Sequence, residues 1–87
     1  MTYDLRFDPA ALKDYERARQ PLAGKLARCF DQLQRDPRSS NNSKRLRGDA
    51  SHLWRYRIGN HRVIYNIEEP VKVVRILRIE NRSTAYD

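Results

Sequence analysis

The chain reads as a small α+β protein: a mostly antiparallel sheet with two N-terminal helices packed on one face, in the order β-α-α-β-β-β. Three observations predict this. Two alternating runs, Leu53 to Ile58 and His61 to Ile67, flank Gly59-Asn60 and read as a β-hairpin. Upstream, Leu22, Leu26, Cys29, Phe30 and Leu33 recur at helical spacing between Pro21 and Pro37. The length of 87 residues with 39% hydrophobic content leaves room for a single core, so residues 1–87 are expected to form one domain.

The elements follow in order. Tyr3 to Phe7 alternates and reads as a short first strand. Asp8-Pro9 is a helix start, since aspartate caps free amides and proline suits the first helical position. That helix is expected from Pro9 to Ala18, with Leu12 and Tyr15 on its apolar side, and Gln20-Pro21 ends it. The second helix starts near Pro21 and stops by Asp36, because Pro37 disfavours helical geometry in the residue before it. Gly24 weakens its first turns. Residues 38–43 form a polar surface loop. After the hairpin, Glu68-Glu69-Pro70 turns the chain into a last strand from Val71 to Ile79. Apolar residues on both of its faces suit a central strand. A polar tail, Glu80 to Asp87, ends the chain.

The hairpin carries the functional signal. Glycine at the first central position suits a two-residue type II′ turn, which pairs Ile58 with His61, Arg57 with Arg62 and Arg55 with Ile64. Alternation then puts Trp54, Tyr56, Ile58, Val63 and Tyr65 on one side and Arg55, Arg57 and Arg62 on the other. Like charges directly opposite each other destabilise a sheet, so stability alone gives no reason for the Arg57/Arg62 pair. No acidic residue lies within the hairpin. An anionic ligand is the expected reason, and Arg62→Ala is expected to relieve repulsion instead of breaking a pair.

Charge distribution agrees. Residues 1–37 carry a net +1 and residues 38–87 a net +6, within a total of +7. A directional basic surface favours nucleic acid as partner. A membrane surface is disfavoured, because the cations lie on strands and loops instead of an amphipathic helix. One cysteine, Cys29, excludes an internal disulfide framework and reads as core filler. No signal peptide or membrane span is evident, and a soluble cytoplasmic protein is expected.

Other chemistries find little support. Two histidines and one cysteine show no metal-ligand spacing, and the three glycines make no phosphate loop. No metal or other cofactor is expected. His61 reads as a turn-proximal structural residue, and His52 stays unassigned. Arginine chemistry remains. Guanidinium forks bind phosphate with two hydrogen bonds and stabilise the charge that develops when a nucleophile attacks phosphorus. In RNA that nucleophile is already present as the ribose 2′-hydroxyl.

The segments Lys44-Arg45-Leu46-Arg47-Gly48 and Leu53 to Tyr65 together resemble the RelE/ParE toxin superfamily: a K-L-x-G loop, a strand of aromatic and basic residues, a glycine turn, then an aromatic, an arginine, two hydrophobics and a tyrosine, with His61 standing here where the aromatic is typical. Asp8-Pro9, the run Leu77 to Arg82 and the closing Tyr86 are similar too. The resemblance implies a toxin held inactive by an antitoxin protein. Its RelE branch cleaves mRNA in the ribosomal A site, whereas its ParE branch poisons DNA gyrase. By position it makes Arg55, Arg57, Arg62, Arg82 and Tyr86 the catalytic set, and Lys44, Arg45 and Arg47 the contacts to ribosomal RNA. The joint presence of Arg62, Arg82 and Tyr86 favours the RelE branch, with mRNA and the ribosome as partners. The alternatives are a gyrase inhibitor of ParE type and a plain nucleic-acid-binding module.

Two departures from the RelE pattern matter. Arg55 and Arg57 stand where that branch carries lysines, and arginine does not accept a proton, so the general base is left unassigned. Asn81 occupies a position where several relatives have histidine. Tyr86 is read as stacking on or orienting a base more readily than as an acid.

Overall fold

The computed structural model describes residues 2–81. Its elements are β1 (Asp4–Phe7), α1 (Pro9–Arg17), α2 (Leu22–Arg35), β2 (Ser43–Arg45), β3 (Leu53–Ile58), β4 (His61–Glu68) and β5 (Val73–Asn81), with a 3-10 turn at Gly48–Ala50. One sheet runs in the order β1-β5-β4-β3-β2. β1 is parallel to β5 and the other pairs are antiparallel. The expected α+β class holds, with one strand more than the sequence pattern implied. Ser43-Lys44-Arg45 carries no apolar alternation, and it is strand only because it ladders onto β3, Ser43 opposite Tyr56 and Arg45 opposite Trp54. A short charged strand at an edge also discourages pairing with other chains.

The hairpin closes as its turn chemistry requires. Gly59 has φ +55 while Asn60 keeps a negative φ, the signature of a type II′ turn. Arg57 stands opposite Arg62, and Ile58 opposite His61.

α1 and α2 cover one face of the sheet. Leu26, Cys29 and Leu33 are fully buried, together with Ala11, Val63, Tyr65, Val74 and Ile76, and Phe30 nearly so. Phe7, Tyr15 and Phe30 lock β1, α1 and α2 together, with ring centroids 4.9–5.9 Å apart. Burial pushes the Cys29 thiol well above its usual range, so it is an inert filler. On α1 the buried residue is Ala11, and Leu12 is 41% exposed, contrary to the expected apolar side. The short helix is rotated so that the small alanine lets it approach the core. Asp8 is the N-cap residue, yet its side chain makes no capping hydrogen bond; its carboxylate lies 3.8 Å from Arg75 Nη1. The sheet supplies the aspartate with a cation that the helix start alone does not.

Gly24 earns its place on α2. The Gln20 side-chain oxygen accepts a hydrogen bond from the Gly24 amide at 3.0 Å, and a Cβ there would meet that same oxygen at 3.0 Å.

β5 begins at Val73, and Val71 is 67% exposed in the preceding turn, where Lys72 takes the left-handed φ of +57. The strand runs on through Glu80 and Asn81, which the sequence pattern assigns to the tail. Ile64 of β4 pairs with Arg78, but the next residue, Tyr65, pairs with Ile76. Leu77 is thus the extra residue of a β-bulge. The bulge resets the alternation, so Val74, Ile76 and Ile79 all reach the helix side, which explains the apolar run without a second core.

Tyr65 anchors this core to the segment after α2. Its buried hydroxyl donates to the Pro37 carbonyl at 2.6 Å, and burial pushes its pKa up to about 12. Tyr65→Phe is expected to lower stability by about 1–2 kcal/mol, read from the midpoint of urea unfolding. A phenol whose folded pKa lies above its unfolded value stabilises the fold at lower pH. That contribution should therefore fade as pH rises from about 10 to about 12. Ultraviolet tyrosinate titration of wild type against Tyr65→Phe should show one phenol in the wild type that ionises only toward the upper end of this window.

Candidate nucleic-acid interface

Residues directly opposite each other on neighbouring strands point to the same side, so the ladders assign the face away from the helices. One row across β2, β3, β4 and β5 is Lys44, Arg55, Ile64 and Arg78. The next is Arg57, Arg62 and Glu80 across β3, β4 and β5. Among the described residues, five cations and one carboxylate thus share a patch near the hairpin turn. Ile64, fully buried, sits between Arg55 and Arg78.

Each side chain is held differently. Arg55 Nη1 donates to the Asn42 carbonyl at 2.9 Å, and the same carbonyl accepts the Arg57 amide at 3.0 Å. Arg55 is thereby tied to the chain leading into β2. Arg57 is exposed. Arg62 Nε donates to Glu80 Oε1 at 2.7 Å, and Arg78 Nε lies 3.3 Å from Glu80 Oε2. This corrects the expectation for Arg62: the hairpin has no acidic residue, but β5 brings one across the sheet, and removing Arg62 breaks a pair.

The remaining expected residues scatter. Lys44 joins the patch, whereas Arg45 pairs with Trp54 on the helix side of the sheet and donates from Nε to the Ser51 carbonyl at 2.6 Å. Arg47 is exposed just before the 3-10 turn, off the sheet. Arg82 and Tyr86 lie outside the described residues. The residues that sequence reasoning missed are Glu80 and Arg78. Extending the last strand by two residues and pairing it against β4 would have placed Glu80 beside Arg62.

Toward the other end of the face the charges cancel. Arg75 Nε donates to Glu68 Oε2 at 2.9 Å, and the guanidinium holds the Glu68 carboxyl below the usual carboxylate range. Its Nη1 also reaches Asp8. The cationic excess therefore concentrates at the turn end of β3, β4 and β5. His61 Nε2 lies 3.4 Å from Asn81 Nδ2 at the rim. No group of three or more metal-ligating side chains gathers among the described residues. Among them no helix is long and apolar enough to cross a membrane. What the patch can do chemically is bind a polyanion, with guanidinium forks facing its phosphates.

Known proteins place the chain among toxins. The family described as ParE toxin of type II toxin–antitoxin system, parDE, matches residues 5–86. No curated protein matches by sequence. Among solved structures, the RelBE2 toxin–antitoxin complex of Mycobacterium tuberculosis is similar at 26% identity, covering 94% of this chain and 100% of that one, with a TM-score of 0.78. The archaeal RelE–RelB complex of Pyrococcus horikoshii OT3 is similar at 25% identity, covering 97% and 99%, with a TM-score of 0.81. The YoeB/ParE toxin of Agrobacterium tumefaciens shares the fold at 19% identity, 90% and 96% coverage and a TM-score of 0.80.

The two hairpin arginines should differ in their effect on stability. Arg57→Ala removes an exposed like charge opposite Arg62 and should leave stability unchanged or raised, within about 0.5 kcal/mol. Arg62→Ala deprives the largely buried Glu80 carboxylate of its closer partner and should cost about 1 kcal/mol. Urea unfolding of both variants beside wild type measures the difference, and equal losses would contradict the pairing.

Proposed function

The chain belongs to the ParE toxin family of type II toxin–antitoxin systems, within the RelE/ParE superfamily. From that premise we propose that this toxin is a ribosome-dependent endoribonuclease, which cleaves mRNA in the A site and so stops translation. The observation that carries the reading is the patch of Lys44, Arg55, Arg57, Arg62 and Arg78 on the uncovered face. In the reaction, the 2′-hydroxyl oxygen attacks the adjacent phosphorus and forms a 2′,3′-cyclic phosphate. The bond to the 5′-oxygen breaks, and that oxygen takes up a proton, balancing the one the 2′-hydroxyl releases to water. Arg57 and Arg62 face the phosphate and neutralise the charge that builds on its oxygens. Neither takes the proton of the 2′-hydroxyl, since guanidinium stays charged. Arg55 and the resemblance-derived Arg82 and Tyr86 complete the proposed catalytic set, with Lys44, Arg45 and Arg47 contacting ribosomal RNA.

A second reading is inhibition of DNA gyrase without catalysis, favoured by the ParE description of the matching family. Two assays separate them. Induction in a bacterial host should arrest growth, and primer extension on translated mRNA should reveal new 5′ ends within codons. Purified gyrase should keep its supercoiling activity in the presence of the protein. Arg62→Ala should slow mRNA cleavage by about a hundredfold. Cleavage of free RNA at the same rate without ribosomes, or full activity of that variant, would sink the proposal.

The proposed partner is an antitoxin, as in the complexes from M. tuberculosis and P. horikoshii. A toxin of net charge +7 suits an acidic segment with an apolar stripe. Co-expression with the adjacent open reading frame should restore growth and yield a stable complex. Its association should slow as salt is raised, while its lifetime changes less. Absence of rescue by either neighbouring gene would remove the partner.

A further inference from the structure

Among the described residues, Glu80 is the one acidic side chain in the two rows of the basic patch, and it is well placed to organise them. Its two carboxylate oxygens are used separately, Oε1 by Arg62 at 2.7 Å and Oε2 by Arg78 at 3.3 Å. Both guanidiniums engage it through Nε. The carboxylate is 18% exposed and Arg62 28%, so the pair sits against the sheet, whereas Arg78 is 59% exposed. β5 fixes its origin, because Glu80 stands directly opposite Arg62 in the ladder.

A carboxylate bridging two guanidiniums makes the same kind of contact as the two free oxygens of a phosphodiester. This has two consequences of opposite sign. Its negative charge opposes an arriving phosphate and weakens ground-state binding of RNA. Its hydrogen bond to Arg62 and its ion pair with Arg78 also restrict the rotamers of two long side chains, so Arg62 and Arg78 need not be ordered when the transition state forms. We propose that Glu80 is a positioning residue of the RNA site, holding Arg62 and Arg78 ready for the scissile phosphate at the expense of affinity for the RNA strand. The inference rests on reading the open face as an RNA phosphate site.

The decisive measurement is a split between binding and turnover. Glu80→Gln keeps the shape and removes the charge. It should bind a single-stranded RNA oligonucleotide about fivefold more tightly at low salt, an advantage that shrinks as salt is raised. On ribosomes programmed with mRNA, its cleavage rate at saturating toxin should fall about tenfold. Asp14→Asn on α1, with the same change in net charge, should alter neither quantity. A cleavage loss with unchanged or weaker oligonucleotide binding would overturn the proposal, as would tighter binding with full turnover.

A readout without RNA separates failure of this inference from failure of the functional reading. In wild type the Nε–H NMR signal of Arg62 should be resolved and slow to exchange with solvent. In Glu80→Ala it should broaden or vanish, while backbone signals keep the folded pattern. A signal unaffected by that substitution would overturn the positioning role. If instead it responds as expected while the wild type leaves mRNA intact, the ribonuclease reading is what fails.

Discussion

The turn at Gly59-Asn60 sets the phase of everything that follows it. With two residues at the corner, Arg57 must face Arg62 and Tyr56 must face Val63, and each pair takes its side of the sheet accordingly. A slip of one residue would carry Val63 and Tyr65 to solvent and drive Arg62 into the aromatic core. The cost of burying an unpaired guanidinium makes that register prohibitive. Glycine at φ +55 provides the geometry, and the apolar residues of β4 supply the penalty for any other. The helix-covered core and the charged face are therefore two expressions of one register.

How much of this was legible in the sequence depends on whether a signal is local. The hairpin and α2 were, because turn chemistry and a 3–4 apolar spacing are written in neighbouring residues. β2 was not, since Ser43-Lys44-Arg45 gains strand geometry only from the partner it meets. The end of β5 was misread for a similar reason. Glu80 and Asn81 look like tail residues until Arg62 and His61 stand opposite them. Leu77 misled in the other direction: without the bulge, its side chain suggests apolar residues on both faces. Leu12 shows that on a helix of nine residues a single small residue, Ala11, can decide which side approaches the sheet.

The open face is more balanced than its composition suggests. Glu68 and Asp8 answer Arg75, and Glu80 answers Arg62 and Arg78. Among the described residues, what remains in excess lies toward the turn end of the sheet, at Lys44, Arg55 and Arg57 on β2 and β3 and where the single carboxylate of Glu80 faces two arginines. A charge localised in this way orients a polyanion as well as attracting it, whereas a uniform coat of cations would do only the second. The ion pairs also limit self-repulsion in a chain of net charge +7, which has a modest core to oppose it.

Fold alone does not choose between the two activities of this superfamily, because function resides in the side chains that a fold presents. The distinction turns on what the open face is asked to do. An inhibitor needs only a complementary surface, and for that purpose loosely held cations serve as well as ordered ones. Stabilising a phosphoryl transition state requires groups fixed before the charge develops, since reorganisation during the step would be charged against the rate. Arg62 is held on a partly buried carboxylate and Arg55 on a backbone carbonyl, both at hydrogen-bond distance. Such restraint is superfluous for attraction and useful for catalysis. On this ground the geometry of the patch favours the ribonuclease reading over simple charge complementarity.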